Sequence, residues 1–193
     1  MGKSSNTAEA FDENRAMDIA AKIKSVIRDV PDYPRPGILF KDITPLLSEP
    51  ALVRDAVDAL ISSYTNIRID AIAGIEARGF ILGAILAQRL NCAFVPVRKA
   101  GKLPYKTQRQ QYELEYGSAE IEMHVDAVKP GWRVLVHDDL LATGGTAAAA
   151  GKLVEALGGS VAGFSFLVQL GFLSGAETLR SQFDCPVECL ITF

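Results

Sequence analysis

The stretch from Arg133 to Thr146, RVLVHDDLLATGGT, is the most informative part of the sequence. An apolar strand, 132–136, runs into two adjacent carboxylates, Asp138 and Asp139, then into a turn of small residues, and then into a helix that begins near Ala147. Open α/β sheets bind their ligands at the carboxyl ends of parallel strands. We therefore expect both acids and the turn to lie at such a strand end, where they can contact a ligand.

The turn after the acids has the composition of a phosphate-binding loop. Gly144 and Gly145 allow backbone conformations that other residues avoid, and Thr143 and Thr146 add hydroxyl donors beside the free N–H groups of a helix start. Ionised carboxylates are hydrogen-bond acceptors, so beside a phosphate they suit sugar hydroxyls better than the anion itself. The pattern predicts a site for a ribose 5-phosphate.

Strand and helix patterns alternate on both sides of this stretch. Buried strands are predicted at 69–74, 93–97, 132–136, 161–168 and 187–191, and helices at 11–28, 51–64, 79–90, 147–157 and 176–182. Two short runs, 112–116 and 119–123, flank Gly117-Ser118 and predict a hairpin. Apolar strands that alternate with helices favour an α/β fold with a central, mainly parallel sheet flanked by helices.

The composition is that of a globular protein. The chain of 193 residues is 49% hydrophobic, and we expect a disordered tail at 1–10 followed by a single domain at 11–193. Its 20 basic and 23 acidic residues leave a net charge of −3, which offers no basic field for nucleic acid. Because no apolar run reaches membrane-spanning length and the three cysteines show neither metal-site nor disulfide spacing, we expect a cytoplasmic protein without membrane partners.

Four segments, taken in order, resemble the type I phosphoribosyltransferases, in the form that acts on adenine. The segment 138–146 resembles their signature for phosphoribosyl pyrophosphate (PRPP). The others are DYPRPGILFKDIT at 32–44, GIEARGF at 74–80, and RKAGKLP at 98–104 with LEYG at 114–117. The resemblance covers the chain from about residue 30 to the C-terminus. It implies a type I phosphoribosyltransferase fold with an N-terminal hood near 11–45 and a flexible catalytic lid.

The reaction implied by this resemblance is transfer of the 5-phosphoribosyl group of PRPP to adenine, which gives AMP and pyrophosphate in purine salvage. PRPP and AMP would be bound by the acids and the turn: Asp138, Asp139, Ala142, Thr143, Gly144, Gly145 and Thr146. Negative charge grows on the leaving pyrophosphate, which calls for cations, and the candidates are Arg78, Arg98 and Lys102. Mg²⁺ would accompany the pyrophosphate and be held mainly through it, with its protein ligands unknown.

The long polar region 98–116 suits a lid that closes over the reacting centre. Within it Glu115 and Tyr116 resemble the catalytic pair of the family, and Glu115 either accepts a proton from adenine or orients the base. An adenine site needs an acceptor for the exocyclic amine. The resemblance assigns this role to backbone carbonyls near Leu39, Phe40 and Lys41, with Phe40 and Leu140 covering the faces of the purine.

Two departures from the family pattern stand in these motifs. Lys41 replaces the arginine more often found there, which loses the planar guanidinium fork. If this side chain binds the base, affinity should differ; if only its backbone does, little should change. His137 stands where an aliphatic residue is expected, and we interpret it as a packed or hydrogen-bonded residue.

Two alternatives stay open beside adenine transfer. One is a phosphoribosyltransferase for another purine, against which the segments 36–41 and 115–116 argue. The other is a non-catalytic regulator that senses PRPP or a nucleotide, which predicts damage to the lid or to Arg78 that the sequence does not show. The resemblance also implies a homodimer in which Arg98 reaches across the interface.

Overall fold

The computed structural model describes residues 17–113 and 117–193. The tail predicted at 1–10 lies outside this part of the chain. The chain divides into two compact units, the first ending at Ala59 and the second comprising Leu60–Phe193. None of the described helices combines the length and the apolar composition that crossing a membrane requires.

The first unit contains a small antiparallel sheet between helices. Its elements are α1 (helical over 17–26), β1 (Arg28–Pro31), β2 (Leu39–Asp42), α2 (Thr44–Leu47) and α3 (Pro50–Ser62), within which the division falls. The helix predicted to reach residue 28 ends at 26, because the chain turns into β1, which pairs with β2 in the register Val30↔Phe40. No sequence pattern predicted β1, since only Val30 and the terminal Pro31 in it are apolar.

The second unit is built on a seven-stranded sheet in the order β5-β6-β4-β3-β7-β8-β9. The strands are β3 (Ala71–Ile75), β4 (Ala93–Lys99), β5 (Thr107–Glu113), β6 (Ser118–His124), β7 (Arg133–Leu141), β8 (Ser160–Gln169) and β9 (Val187–Thr192). The helices are α4 (Gly79–Arg89), α5 (Gly145–Ala156) and α6 (Gly175–Arg180). Strands β4, β3, β7, β8 and β9 are parallel, whereas β6 joins β4 and β5 antiparallel. The predicted α/β fold with a mainly parallel sheet is confirmed.

Small apolar residues allow the layers of this unit to pack closely. Every residue of β3 is buried, as expected of a central parallel strand covered on both faces. Helix α5 buries the four alanines 147–150, so that its axis can approach the sheet. A Cβ at Gly151 would lie 2.6 Å from the ring of Phe183, which shows how little space remains. Helix α5 therefore packs tightly on Phe183 and on Phe164 of β8.

Two strands extend several residues beyond their predicted bounds. β7 continues through the two acids to Leu141, because Leu140 and Leu141 still pair with β8. β5 begins at Thr107 rather than at 112, since the polar residues 108–111 pair with β6 although they lack apolar alternation. The hairpin is confirmed, and part of the polar region that we assigned to the lid is regular strand. Residues 114–116 of the predicted first hairpin strand lie outside the described chain.

Candidate active site

Asp138 and Asp139 lie near the carboxyl end of β7, close to the start of α5. Asp139 is buried, and Arg78 Nε forms an ion pair with its Oδ2 at 3.0 Å. Asp138 Oδ1 accepts a hydrogen bond from the backbone N–H of Asp139 at 2.8 Å. Burial raises the pKa of both carboxyls, and the neighbouring charge of Asp139 raises that of Asp138 further. Acids so poorly hydrated would be stabilised by donors from a ligand, such as hydroxyl groups.

A cavity of about 80 Å³ lies beside these acids. It is lined by the last residues of β7, the turn 142–144, the first turn of α5 and Phe166 of β8. Helix α5 leaves its first N–H groups without intrahelical partners, and its dipole places partial positive charge at the same end. The pocket therefore combines an anion-binding helix end with the carboxyl group of Asp138, and Asp139 is the next residue of β7.

Gly144 gives the turn its shape. Its φ of +86° is in the left-handed region, and its carbonyl accepts the helical hydrogen bond from Ala148 N at 2.8 Å. A Cβ at Gly144 would lie 2.8 Å from the carbonyl oxygen of Gly175, the first residue of α6. A Cβ at Gly175 would in turn overlap the carbonyl oxygen of Ala142. Residues 142–144 and the start of α6 thus pack backbone against backbone, a contact that the sequence reasoning missed because Gly175 reads as an ordinary turn residue.

The loop between β3 and α4 brings Arg78 to the acids. Arg78 is the N-cap residue of α4, and the next residue, Gly79, packs directly on β7. A Cβ at Gly79 would lie 2.7 Å from Asp138 Oδ1 and 3.0 Å from Asp138 Cα. Because α4 approaches β7 this closely, the guanidinium of Arg78 reaches Asp139. About a third of the Arg78 side chain is exposed, so it also faces solvent.

Glu76, in the same loop, forms ion pairs with the other two cations predicted to bind pyrophosphate, Arg98 and Lys102. Its Oε1 lies 2.9 Å from Arg98 Nη2 and 2.8 Å from Lys102 Nζ. Arg98 Nη1 also donates to the carbonyl oxygen of Lys102 at 3.0 Å. The hydrogen bonds from Arg98 and then Lys102 lower the pKa of Glu76 to about 2. Glu76 stands in the motif GIEARGF, yet the sequence reasoning assigned it no role.

The segment predicted to bind the base belongs to the first unit, in β2. Leu39 is half exposed, and Phe40 makes an edge-to-face contact with Tyr33 at a centroid distance of 5.1 Å. Lys41 is buried, with its Nζ 2.6 Å from Asp29 Oδ1 across the two-stranded sheet. The fourth predicted contact, Leu140, is part of β7 and lines the cavity beside the acids. The Lys41 side chain is therefore engaged inside its own unit.

Two predicted residues, Glu115 and Tyr116, lie outside the described residues. In the parts of the chain that are described, 17–113 and 117–193, no group of three or more His, Cys, Asp or Glu side chains is placed to hold a metal ion.

His137 is fully buried in β7, and its register partner in β8 is Ser165.

Comparison with known proteins places this geometry in a family. Residues 42–188 match the sequence profile of the phosphoribosyl transferase domain. The adenine phosphoribosyltransferase of Thermobifida fusca is 56% identical over 175 residues, which cover 91% of this chain and 98% of that protein.

Solved structures agree with the sequence relatives. The crystal structure of adenine phosphoribosyltransferase from Rhodothermus marinus superimposes with a TM-score of 0.88 at 50% identity and covers 92% of this chain and 99% of its own. The enzyme from Saccharomyces cerevisiae, complexed with adenine and an imino-altritol bisphosphate, gives a TM-score of 0.82 at 40% identity and covers 90% and 99%. This chain therefore belongs to the adenine phosphoribosyltransferase family.

Proposed function

We propose that this chain is an enzyme that transfers the 5-phosphoribosyl group of PRPP to adenine and releases AMP and pyrophosphate, a reaction of purine salvage. The observation that carries the proposal is the end of β7, where the half-buried Asp138 and the buried Asp139 adjoin the glycine turn and the first N–H groups of α5. Relatives more than half identical over most of the chain carry the name of this activity.

The pocket beside β7 suits the ribose 5-phosphate half of PRPP. The N–H groups of Gly145, Thr146 and Ala147, at the start of α5, would donate to the 5-phosphate, with the Thr143 and Thr146 hydroxyls as further donors. Asp138 and Asp139 would accept hydrogen bonds from the two ribose hydroxyls. The burial of these acids supports this role, since hydroxyl donors would replace the hydration that the carboxylates lack.

The pyrophosphate half would be bound by Arg78, Arg98 and Lys102. In this structure their charges are paired, the first with Asp139 and the other two with Glu76. All three side chains are between about a third and half exposed, so an anion can reach them. As the bond from C1 to the pyrophosphate breaks, charge accumulates on the leaving group, and fixed cations stabilise it more than they stabilise the substrate.

The donor set fits a magnesium ion that arrives with the substrate. The described residues do not form a cage of three protein ligands, but Mg²⁺ is often bound through substrate phosphates and one or two carboxylates. Asp138 and Asp139 are carboxylates at the proposed site of the ribose, and Glu76 is a carboxylate beside two of the cations proposed for pyrophosphate. When bound, the ion would neutralise charge on the departing pyrophosphate.

Adenine would be recognised by the segment Leu39–Lys41, with Leu140 against the ring and Glu115 and Tyr116 acting on the base. Since the Lys41 ammonium is paired with Asp29, we expect the backbone of Lys41 to bind the base. Lysine in place of arginine should then change the affinity for adenine little. We further propose a homodimer, which the family resemblance implies, and a cytoplasmic location, which the hydropathy and cysteine patterns of the sequence led us to expect.

A turnover assay tests the function. The purified chain, given PRPP and Mg²⁺, is offered adenine, hypoxanthine, guanine, xanthine and orotate separately, and the nucleotide products are measured. We expect AMP to form, with a kcat/KM for adenine at least about 100-fold above that for the 6-oxopurines, because those present a carbonyl acceptor to an acceptor in the site. Binding of PRPP without turnover of any base would replace this proposal with a sensing regulator.

Asparagine at either acid tests the ribose assignment. We expect Asp139→Asn to raise the Kd for PRPP and for AMP about tenfold, because a charge-assisted hydrogen bond to a hydroxyl becomes a neutral one and the partner of Arg78 is lost. Isothermal titration of both ligands measures this change. Asp126→Asn, at an exposed carboxylate in the turn after β6, is the control and should leave both affinities as they are. Unchanged PRPP affinity in both Asp138→Asn and Asp139→Asn would contradict the assignment.

A further inference from the structure

Glu122 occupies the middle of a three-strand row of charged residues. It lies on β6, directly opposite Arg98 of β4 on one side and Arg109 of β5 on the other. Its side chain is only 1% exposed, although it carries a carboxylate. A carboxylate buried to this degree needs several donors to offset its lost hydration.

The donors that Glu122 receives come mainly from the turn that carries Lys102. Its Oε1 accepts hydrogen bonds from the backbone N–H groups of Lys102 at 3.0 Å and Leu103 at 2.9 Å. Its Oε2 lies 3.2 Å from Arg109 Nε. Burial acts to raise the pKa of Glu122, but hydrogen bonds from the backbone of residues 101–103 and from the Thr107 hydroxyl outweigh it and hold the pKa below its usual range.

These contacts determine where Lys102 stands. With two successive N–H groups bound to one buried oxygen, the turn after β4 is tied to β6. The Lys102 ammonium then forms an ion pair with Glu76 at 2.8 Å. The backbone carbonyl of Lys102 accepts a hydrogen bond from Arg98 Nη1 at 3.0 Å. Arg98 and Lys102 are therefore held together. Glu122 binds the backbone of the turn that carries Lys102, and Glu76 pairs with the charged groups of both side chains.

We propose that Glu122 is a positioning residue for pyrophosphate: by binding the N–H groups of Lys102 and Leu103, it places Arg98 and Lys102 to receive the leaving group. Glu122 itself faces the backbone of the turn and Arg109, and acts on the ligand only through the two cations. This inference rests on the proposed function, which assigns the cations to pyrophosphate.

Three variants of the full chain separate positioning from general stability. Glu122→Ala removes the acceptor, and Glu122→Gln keeps an acceptor for the turn but turns an amide donor toward Arg109. Glu120→Gln, on the same strand, is the matched control, because its carboxylate is 42% exposed and pairs with Arg109 at 3.5 Å. The probes are pyrophosphate with Mg²⁺, and AMP, which lacks the pyrophosphate group.

We expect Glu122→Ala to weaken pyrophosphate binding, and to raise the KM for PRPP, about tenfold, because two backbone N–H groups of the turn lose their acceptor and the turn moves. Glu122→Gln should weaken pyrophosphate binding about threefold, a partial rescue, since the turn keeps its acceptor. AMP affinity should stay within about twofold of the parent chain in all variants, because the pocket at β7 is untouched. The ¹H–¹⁵N signals of Lys102 and Leu103 should shift in both Glu122 variants and not in Glu120→Gln.

Equal weakening of AMP and pyrophosphate would show a merely structural role and overturn the inference, as would unchanged pyrophosphate affinity. If Glu122→Ala does not fold, Glu122→Gln decides by the same comparison of pyrophosphate with AMP. A parent chain that binds AMP but no pyrophosphate overturns the pyrophosphate assignment and this inference with it, whereas normal binding by the parent with unchanged variants overturns only the role of Glu122.

Discussion

Replacing Gly144 with alanine is expected to lower kcat/KM for PRPP about 100-fold, because the change displaces the turn that we propose to bind the 5-phosphate by a fraction of an ångström or more. Two costs act together at this position. The φ of +86° strains any residue with a Cβ, and the new methyl group would stand 2.8 Å from the carbonyl oxygen of Gly175, a backbone atom that cannot rotate away.

Gly131→Ala is the matched control for this prediction. Its φ of +78° imposes the same kind of backbone strain, but a Cβ there meets nothing within 4 Å. We expect this variant to lose about 1–2 kcal/mol of unfolding free energy and to keep its kinetics. Steady-state assays of both variants with varied PRPP, together with thermal unfolding, measure the two effects. If Gly144→Ala loses no more activity than Gly131→Ala, the close packing of the turn on α6 is not needed for catalysis.

His137→Val is expected to remove an acid-dependent loss of stability worth about 3 kcal/mol between pH 6.5 and pH 4. His137 is fully buried, and burial lowers its pKa from the ordinary 6.5 to about 4. In that interval the unfolded chain takes up a proton that the folded chain does not, so the free energy of unfolding falls as the pH falls. Well above pH 6.5 the imidazole is neutral in both states and the penalty is absent.

Urea unfolding of the parent and of His137→Val across this interval tests the prediction. The raised pKa values of Asp138 and Asp139 act in the opposite direction, since the folded state then binds protons more readily. Both chains carry these acids, so their contribution cancels when the two unfolding curves are subtracted. Parallel pH profiles for the two chains would show that the buried imidazole is protonated in the folded state as easily as in the unfolded one.

The sequence predicted most of the second unit because its signals are local. Apolar runs such as 71–75 and the glycine-rich start of α5 are read from neighbouring residues alone. The failures occurred where backbone pairing makes a strand of residues that lack an apolar pattern of their own. β1 and the polar part of β5 are strands because β2 and β6 offer them hydrogen bonds, and their own residues do not predict it.

The composition of the candidate site was likewise readable, but its pairings were not. Parallel β3 and β4 are in the register Ile75↔Val97, which puts the next residues, Glu76 and Arg98, side by side. The sequence showed both residues in separate motifs without indicating that one neutralises the other.

By itself, the sequence determined the α/β class, the position of the acids and the glycine turn at a strand end, and the family. These follow from side-chain periodicity and from motifs a few residues long. Only the tertiary structure decided the partner of each charge: Asp139 for Arg78, Glu76 for Arg98 and Lys102, and the buried Glu122 for the turn between β4 and β5. Strand order and register bring these groups together, and both are set by pairing and packing between segments far apart along the chain.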